Sequence, residues 1–178
     1  MVITSVAVFC GSKSGNNPLY ELHAKQLGKI LAEKNIKVIY GGGNKGIMGA
    51  IANAIMEMNG HVTGIIPTLL TELEAQHLGI TELIIVDNMH SRKKVIYDKC
   101  DAAIILPGGL GTLDELFEIL TWNQLNIHNK KIFLLNSAGF YDHLIAHARI
   151  MEKEGFLYDS FVNKITTVST PQEFEHFL

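Results

Sequence analysis

The stretch Ala102-Ala103-Ile104-Ile105-Leu106-Pro107-Gly108-Gly109-Leu110-Gly111-Thr112-Leu113-Asp114-Glu115 decides the reading of this chain. Its first five residues are wholly apolar. Such a run fits a strand buried on both faces, as in a parallel sheet covered by helices. Three glycines then interrupt the pattern, and helical spacing resumes from Thr112 to Gln124. Strand, glycine turn, helix is the arrangement that presents backbone N–H groups and the positive end of a helix dipole to an anion.

The same alternation extends in both directions. Strands are expected at Val2–Phe9, Ile36–Tyr40, His61–Ile66, Leu83–Val86, Ala102–Leu106, Lys131–Leu135 and Ile165–Val168. Helices are expected at Pro18–Asn35, Gly46–Asn59, Ser91–Cys100, Thr112–Gln124 and about Tyr141–Glu154, with a terminal segment at Pro171–Leu178. A less regular stretch runs from the third strand to about Gly79. The pattern predicts an α/β fold: a doubly wound, Rossmann-like parallel sheet with helices on both faces, in one domain over residues 1–178.

Composition agrees with a single globular domain. The 178 residues are 47% hydrophobic and 19% charged, with a net charge of -3. That balance gives no general reason to expect nucleic-acid or anionic-membrane binding. No apolar run approaches the roughly 20 residues needed to span a bilayer. Cys10 and Cys100 do not form a metal-ligand or CxxC spacing. The start of the chain reads as a first strand and not as a leader, which leads to the expectation of a cytoplasmic protein.

In an open parallel sheet, ligands bind at the C-terminal ends of the strands. Four loops at that edge are unusual: Cys10–Gly15, Gly41–Gly46, Asp87–Lys93 and Pro107–Thr112. Their glycines allow close backbone approach, and Lys13, Lys45, Arg92 and Lys93 add positive charge. The convergence points to a phosphorylated ligand. Gly41-x-Gly43-x-x-Gly46 matches a dinucleotide fingerprint, but the next strand ends in Ile65-Ile66-Pro67 and offers no acidic residue for a ribose. Tight helix–strand packing, for which glycine turns of this kind are common, is the expected role of those glycines. Neither glycine loop fits GxxxxGK[ST]. His143 and His147 share a helix face, but Leu144 stands where a zinc hydrolase needs Glu, so ordinary surface is expected. His90 suits a ligand contact or a turn.

Two readings remain open at Glu115. Thr112-x-x-Glu115 has the spacing of a capping box, with Glu115 folding back on its own helix start. Alternatively, Glu115 is a carboxylate held beside a phosphate turn, facing a ribose. Arg92 is likewise either a solvated helix end or a cation compensated by a bound phosphate.

Met89-His90-Ser91-Arg92-Lys93 followed by Pro107-Gly108-Gly109-Leu110-Gly111-Thr112-Leu113-Asp114-Glu115 resembles the LONELY GUY (LOG) family, cytokinin riboside 5′-monophosphate phosphoribohydrolases often labelled as lysine decarboxylases. The resemblance includes Cys10-Gly11-Ser12, Tyr40-Gly41-Gly42-Gly43 and Thr121-Trp122-x-Gln124-Leu125, and covers about three quarters of the chain. It implies hydrolysis of the N-glycosidic bond of AMP or an N6-modified AMP, giving free base and ribose 5-phosphate. It implies Arg92 and Glu115 as catalytic residues. Gly11, Ser12, Gly42, Gly43, Glu74, Met89, Lys93, Gly108, Gly109, Gly111 and Thr112 are implied to bind substrate and its phosphate. No metal and no cofactor are expected, and a homodimer is. Nothing marks a Schiff-base lysine of the kind a pyridoxal-phosphate decarboxylase needs. The competing class is a non-catalytic nucleotide or molybdenum-cofactor carrier of the same fold.

Overall fold

The computed structural model describes residues 2–71 and 76–178. Among them, seven strands form one wholly parallel sheet: β1 (Ser5–Phe9), β2 (Lys37–Tyr40), β3 (Val62–Pro67), β4 (Glu82–Val86), β5 (Ala102–Ile105), β6 (Lys131–Leu135) and β7 (Thr166–Val168). Their spatial order is β4-β3-β2-β1-β5-β6-β7. The chain winds outward from β1 to β4, returns to the centre, and winds the other way from β5. The switch point lies between β1 and β5, which pair in register Val6–Ala102 to Phe9–Ile105. The doubly wound expectation therefore holds.

Side chains alternate across the sheet with period two. Val6 and Val8 of β1, Val38 and Tyr40 of β2, and Ala102 and Ile104 of β5 pack into one core layer. That layer includes residues of α1 (Pro18–Glu33) and α2 (Gly46–Glu57). Ala7, Phe9, Ile39, Ala103 and Ile105 face the opposite layer, built with α4 (Met89–Lys99), α5 (Leu110–Gln124) and α6 (Asp142–Lys153). All four residues of β5 are buried, which accounts for its unbroken apolar sequence. Gly28 of α1 lets that helix lie directly on α2: a side chain there would meet the Ile51 carbonyl at 2.9 Å.

Several boundaries differ from expectation for identifiable reasons. Strand β1 begins at Ser5, because Asp101 takes the preceding groups: its Oδ2 accepts from the backbone N–H and hydroxyl of both Thr4 and Ser5 at 2.8–3.0 Å. Helix α4 begins at Met89 because Asn88 is the N-cap, its side-chain oxygen accepting from Ser91 N–H at 2.9 Å. Helix α5 begins two residues before Thr112, with Gly109 as N-cap. The irregular stretch contains a one-turn helix α3 (Thr68–Thr71), and a second short helix, α7 (Phe161–Lys164), precedes β7. Residues Pro171–His176 form a 3-10 helix.

Candidate active site

The helices that follow β1 and β5 leave toward opposite faces of the sheet. The loops above these strands are therefore free to meet. They do so through Gly11 N–H, which donates to the Pro107 carbonyl at 3.1 Å. The close approach needs small residues: a side chain at Gly11 would sit 3.3 Å from the Gly108 Cα, and one at Gly108 would overlap the Thr112 hydroxyl. Around this junction lies a cavity of about 220 Å³, reached by Gly11, Ser12, Gly41, Arg92, Gly109–Thr112 and Glu115.

The N-terminus of α5 forms one wall. Its first intrahelical bond runs from Leu113 N–H to the Gly109 carbonyl at 3.2 Å. The N–H groups of Leu110, Gly111 and Thr112 precede that bond and have no intrahelical acceptor. Gly109 offers no side-chain cap. A substituent at Gly109 or Gly111 would meet nothing within 4 Å, so crowding does not explain either glycine. Thr112 is buried inside the first turn and is not the N-cap. That geometry removes the capping-box reading of Thr112 and Glu115, because the box requires the hydroxyl residue at the N-cap. Glu115 belongs to the second turn of α5 and lines the cavity.

Arg92 approaches from α4. It is buried, and its guanidinium spans the ends of β2 and β3. Nε donates to the Ile65 carbonyl at 3.1 Å and Nη2 to the Gly41 carbonyl at 3.2 Å. A side chain at Gly41 would collide with Nη2, so this glycine makes room for the arginine. Among the described residues no carboxylate lies within 4 Å of Arg92. A buried cation whose described partners are two carbonyl oxygens and the Met89 thioether is costly unless an anion joins it.

Burial pushes the Glu115 carboxyl up to about 7, against the pull of Arg92 and Lys93 and with the help of Asp114 and Glu118. A carboxyl in this range suits proton chemistry near neutrality. Burial raises the neighbouring Cys10 thiol, and Glu115 raises it further, which makes Cys10 a poor nucleophile.

Lys93 is placed differently. Its ammonium pairs with Asp114 at 2.8 Å and Glu118 at 3.2 Å. Burial alone would lower its pKa, but these two carboxylates outweigh burial and raise it. Tyr97 adds a hydrogen bond to Glu118 at 3.0 Å and another to the Glu115 carbonyl at 3.3 Å. This network ties α4, which carries Arg92, to α5, which carries Glu115. The spacings Lys93/Tyr97 and Asp114/Glu118 are i,i+4 pairs and were the available signal for it.

Residues 48–176 match a family described as "Possible lysine decarboxylase". Cytokinin riboside 5′-monophosphate phosphoribohydrolase LOG2 of Arabidopsis thaliana is 47% identical over 152 residues, covering 85% of this chain and 71% of that protein. The cytokinin riboside 5′-monophosphate phosphoribohydrolase of Rhodococcoides fascians is 42% identical over 154 residues, covering 86% and 78%. The chain belongs to the LOG family. The solved molybdenum cofactor binding protein of Rippkaea orientalis superposes with a TM-score of 0.74 at 22% identity, over 99% of this chain and 96% of that one. The Moco carrier protein of Chlamydomonas reinhardtii gives 0.72 at 15%, over 97% and 93%. At such identity these likenesses speak for the fold alone.

The cleft of this LOG-family chain brings together most of the residues expected at the site. Gly11, Ser12, Arg92, Gly109, Gly111, Thr112 and Glu115 line one cavity, and Gly108 lies at the loop junction beside them. The Met89 sulfur lies 3.8 Å from Arg92 Nη1. Gly42 and Gly43 are turned to another task. The Gly42 carbonyl accepts from His77 N–H at 2.9 Å, and Gly43 bridges to Gln76. Gly46 packs on the Lys13 backbone and Gly49 on Asn44, so much of the 41–49 glycine pattern serves close packing. Lys45 is exposed at the start of α2. His90, His143 and His147 are exposed. Glu74 lies outside the described residues. Among the described residues, no group of three or more His, Cys, Asp or Glu is placed to hold a metal ion. No helix among them is long and apolar enough to cross a membrane.

The raised Glu115 pKa has a consequence for stability. Between its ordinary value of 4.5 and about 7, the folded protein keeps a proton that the unfolded chain has lost. Stability therefore falls as pH rises through this window, and above it the ionised carboxylate costs on the order of 3 kcal/mol. Glu115→Gln removes that cost. The variant is expected to melt above the wild type at pH 8, with the gap closing toward pH 4.5. Thermal unfolding across this range checks it, and a pH-independent gap would contradict the assignment.

Proposed function

We propose that the chain hydrolyses the N-glycosidic bond of adenosine 5′-monophosphate and its N6-modified forms, including cytokinin riboside 5′-monophosphates, to free base and ribose 5-phosphate. The observation that carries this reading is that the open N-terminus of α5, the Glu115 carboxyl and the carbonyl-held Arg92 all face one cavity. The names of the curated relatives supply the substrate class.

The phosphate rests on the N–H groups of Leu110, Gly111 and Thr112, where helix dipole and free donors act together. Binding energy from this non-reacting group places the anomeric carbon beside Glu115. As the bond to the base breaks, positive charge develops on the sugar. The Glu115 carboxylate stabilises that charge and takes a proton from the attacking water. Arg92 adds positive charge to the same cavity and holds substrate anion or the departing base. Lys93 positions α4 against α5 through Asp114 and Glu118. A lysine so engaged is poorly placed to form a Schiff base, and no decarboxylase activity is assigned.

The buried, unpaired cysteines Cys10 and Cys100 suit a reducing cytoplasm. Exposed Phe117, Leu125, Ile127, Phe156 and Tyr158 supply apolar surface for a homodimer, so light scattering at micromolar concentration should return twice the 19.7 kDa chain mass, and a monomer would refute it.

The direct test is purified protein with AMP, an N6-alkyl AMP and adenosine, followed for free base and ribose 5-phosphate. Both nucleotides should be cleaved and adenosine should react at least about a hundredfold more slowly, since it forfeits the phosphate contacts. Glu115→Gln should lose about a thousandfold or more in kcat while still binding AMP. Release of no base from either nucleotide would move the chain to the carrier class.

Gly111 offers a second test. Side chains in a helix lean toward its N-terminus, so a methyl here would project over the proposed phosphate position. In the free protein it would touch nothing. Gly111→Ala should therefore stabilise the protein by about 0.5–1 kcal/mol and raise KM for AMP at least about tenfold. Unchanged KM would remove the phosphate from this turn.

A further inference from the structure

A second cavity adjoins the first across the glycine turns. It measures about 330 Å³ and is walled by Tyr20, Ile47, Pro107 and Phe140, with Lys13 at its edge. Gly11, Ser12 and Gly109 line both cavities. The two spaces thus share a wall made almost entirely of backbone.

The second cavity is built for an apolar, flat occupant. The rings of Tyr20 and Phe140 meet nearly edge to face, with centroids 5.4 Å apart and planes at 76°. Gly15, at φ +73°, brings the loop tightly against Tyr20; a side chain there would sit 2.9 Å from the ring. Phe140 nevertheless remains 40% exposed, an aromatic face without a full complement of neighbours. Gly109 forms the sill between the cavities. Its φ of -96° suits any residue, and a substituent there would meet nothing within 4 Å. Glycine is a favoured N-cap, and at this one nothing within the protein fills the space a side chain would take, so the sill stands open to a ligand.

The order of groups along the cleft fixes what the occupant is attached to. Glu115 and Arg92 line only the first cavity, while Tyr20, Ile47 and Phe140 line only the second. With the anomeric carbon beside Glu115 and the phosphate on the first turn of α5, the base departs from the end of the ligand remote from Gly109. The second cavity begins where the phosphate ends. We propose that it binds a flat apolar group esterified to the 5′-phosphate, so that nucleoside 5′-phosphodiesters are ligands of this chain as well as monoesters. This inference rests on the placement of the phosphate in the phosphoribohydrolase reading. A diester carries one negative charge where the monoester carries nearly two, so it gives up part of its attraction to the helix terminus. Burial of the ester group between Tyr20 and Phe140 compensates.

Calorimetric titration of the full chain carrying Glu115→Gln, which prevents turnover, tests the proposal with three ligands: AMP, its 5′-methyl ester and its 5′-phenyl ester. The two esters have equal charge and differ only in the group that enters the second cavity. The phenyl ester should bind about tenfold more tightly than the methyl ester. Phe140→Ala and Tyr20→Ala, each added to the same background, should abolish that difference and leave AMP affinity within about twofold. Equal binding of the two esters, or a phenyl advantage that survives both truncations, overturns the inference. If AMP binds and the phenyl ester gains nothing, this inference alone fails. If AMP itself does not bind, the reading it rests on fails with it.

Discussion

A parallel sheet that winds outward in both directions from one central pair of strands must leave a gap above that pair. The helix after β1 packs on one face and the helix after β5 on the other, so neither covers the loops between them. In this chain the gap is closed only by backbone, through the Gly11–Pro107 hydrogen bond and the glycines on either side of it. Everything chemical in the molecule is arranged around that constraint. The dipole of α5 points into the gap, and Arg92 reaches it across the ends of β2 and β3. Glu115 enters it one turn further along the same helix whose terminus would hold the phosphate. The two cavities are the two sides of the gap.

The glycines divide into those the fold requires and those it does not. Gly28, Gly41, Gly46, Gly49 and Gly108 each have neighbours that a side chain would strike. Gly109 and Gly111 do not. Gly109 is at the N-cap, which glycine suits, but Gly111 in the first turn is a cost in conformational entropy that alanine would avoid. The same logic applies to the charges. Among the described residues Arg92 is buried without a carboxylate partner, and Glu115 sits where burial opposes its ionisation. Each is unfavourable in the free protein, and both bear on the same small volume. Local cost without local benefit is what a preorganised site looks like before its ligand arrives.

The fold was legible in the sequence because both of its signals are local. Apolar runs such as Ala102–Leu106 mark strands covered on both faces, and the intervening 3.6-residue patterns mark helices. Element boundaries were less legible, since they depend on partners distant in sequence: Asp101 delays the start of β1 to Ser5 by capturing the groups of Thr4 and Ser5. Helix α5 starts two residues before Thr112, although Thr112 is a good capping residue by type. In the folded chain its hydroxyl is spent on packing beside Gly108, and Gly109 takes the cap. That displacement matters, because it frees Glu115 from a capping role. Arg92 and Glu115 could be singled out by motif and loop position. The service of Gly41 to Arg92, the engagement of Lys93 by Asp114 and Glu118, and the diversion of Gly42 and Gly43 toward residues 76–77 could not, because each depends on which loops the sheet order brings together.

The central claim is one of geometry: phosphate at the open end of α5, anomeric carbon at Glu115. A crystal structure of the Glu115→Gln protein with AMP bound tests it most directly. The account predicts the 5′-phosphate within hydrogen-bonding distance of the N–H groups of Leu110, Gly111 and Thr112, with C1′ of the ribose beside residue 115. Phosphate bound elsewhere, or a ribose whose C1′ faces away from residue 115, would contradict it.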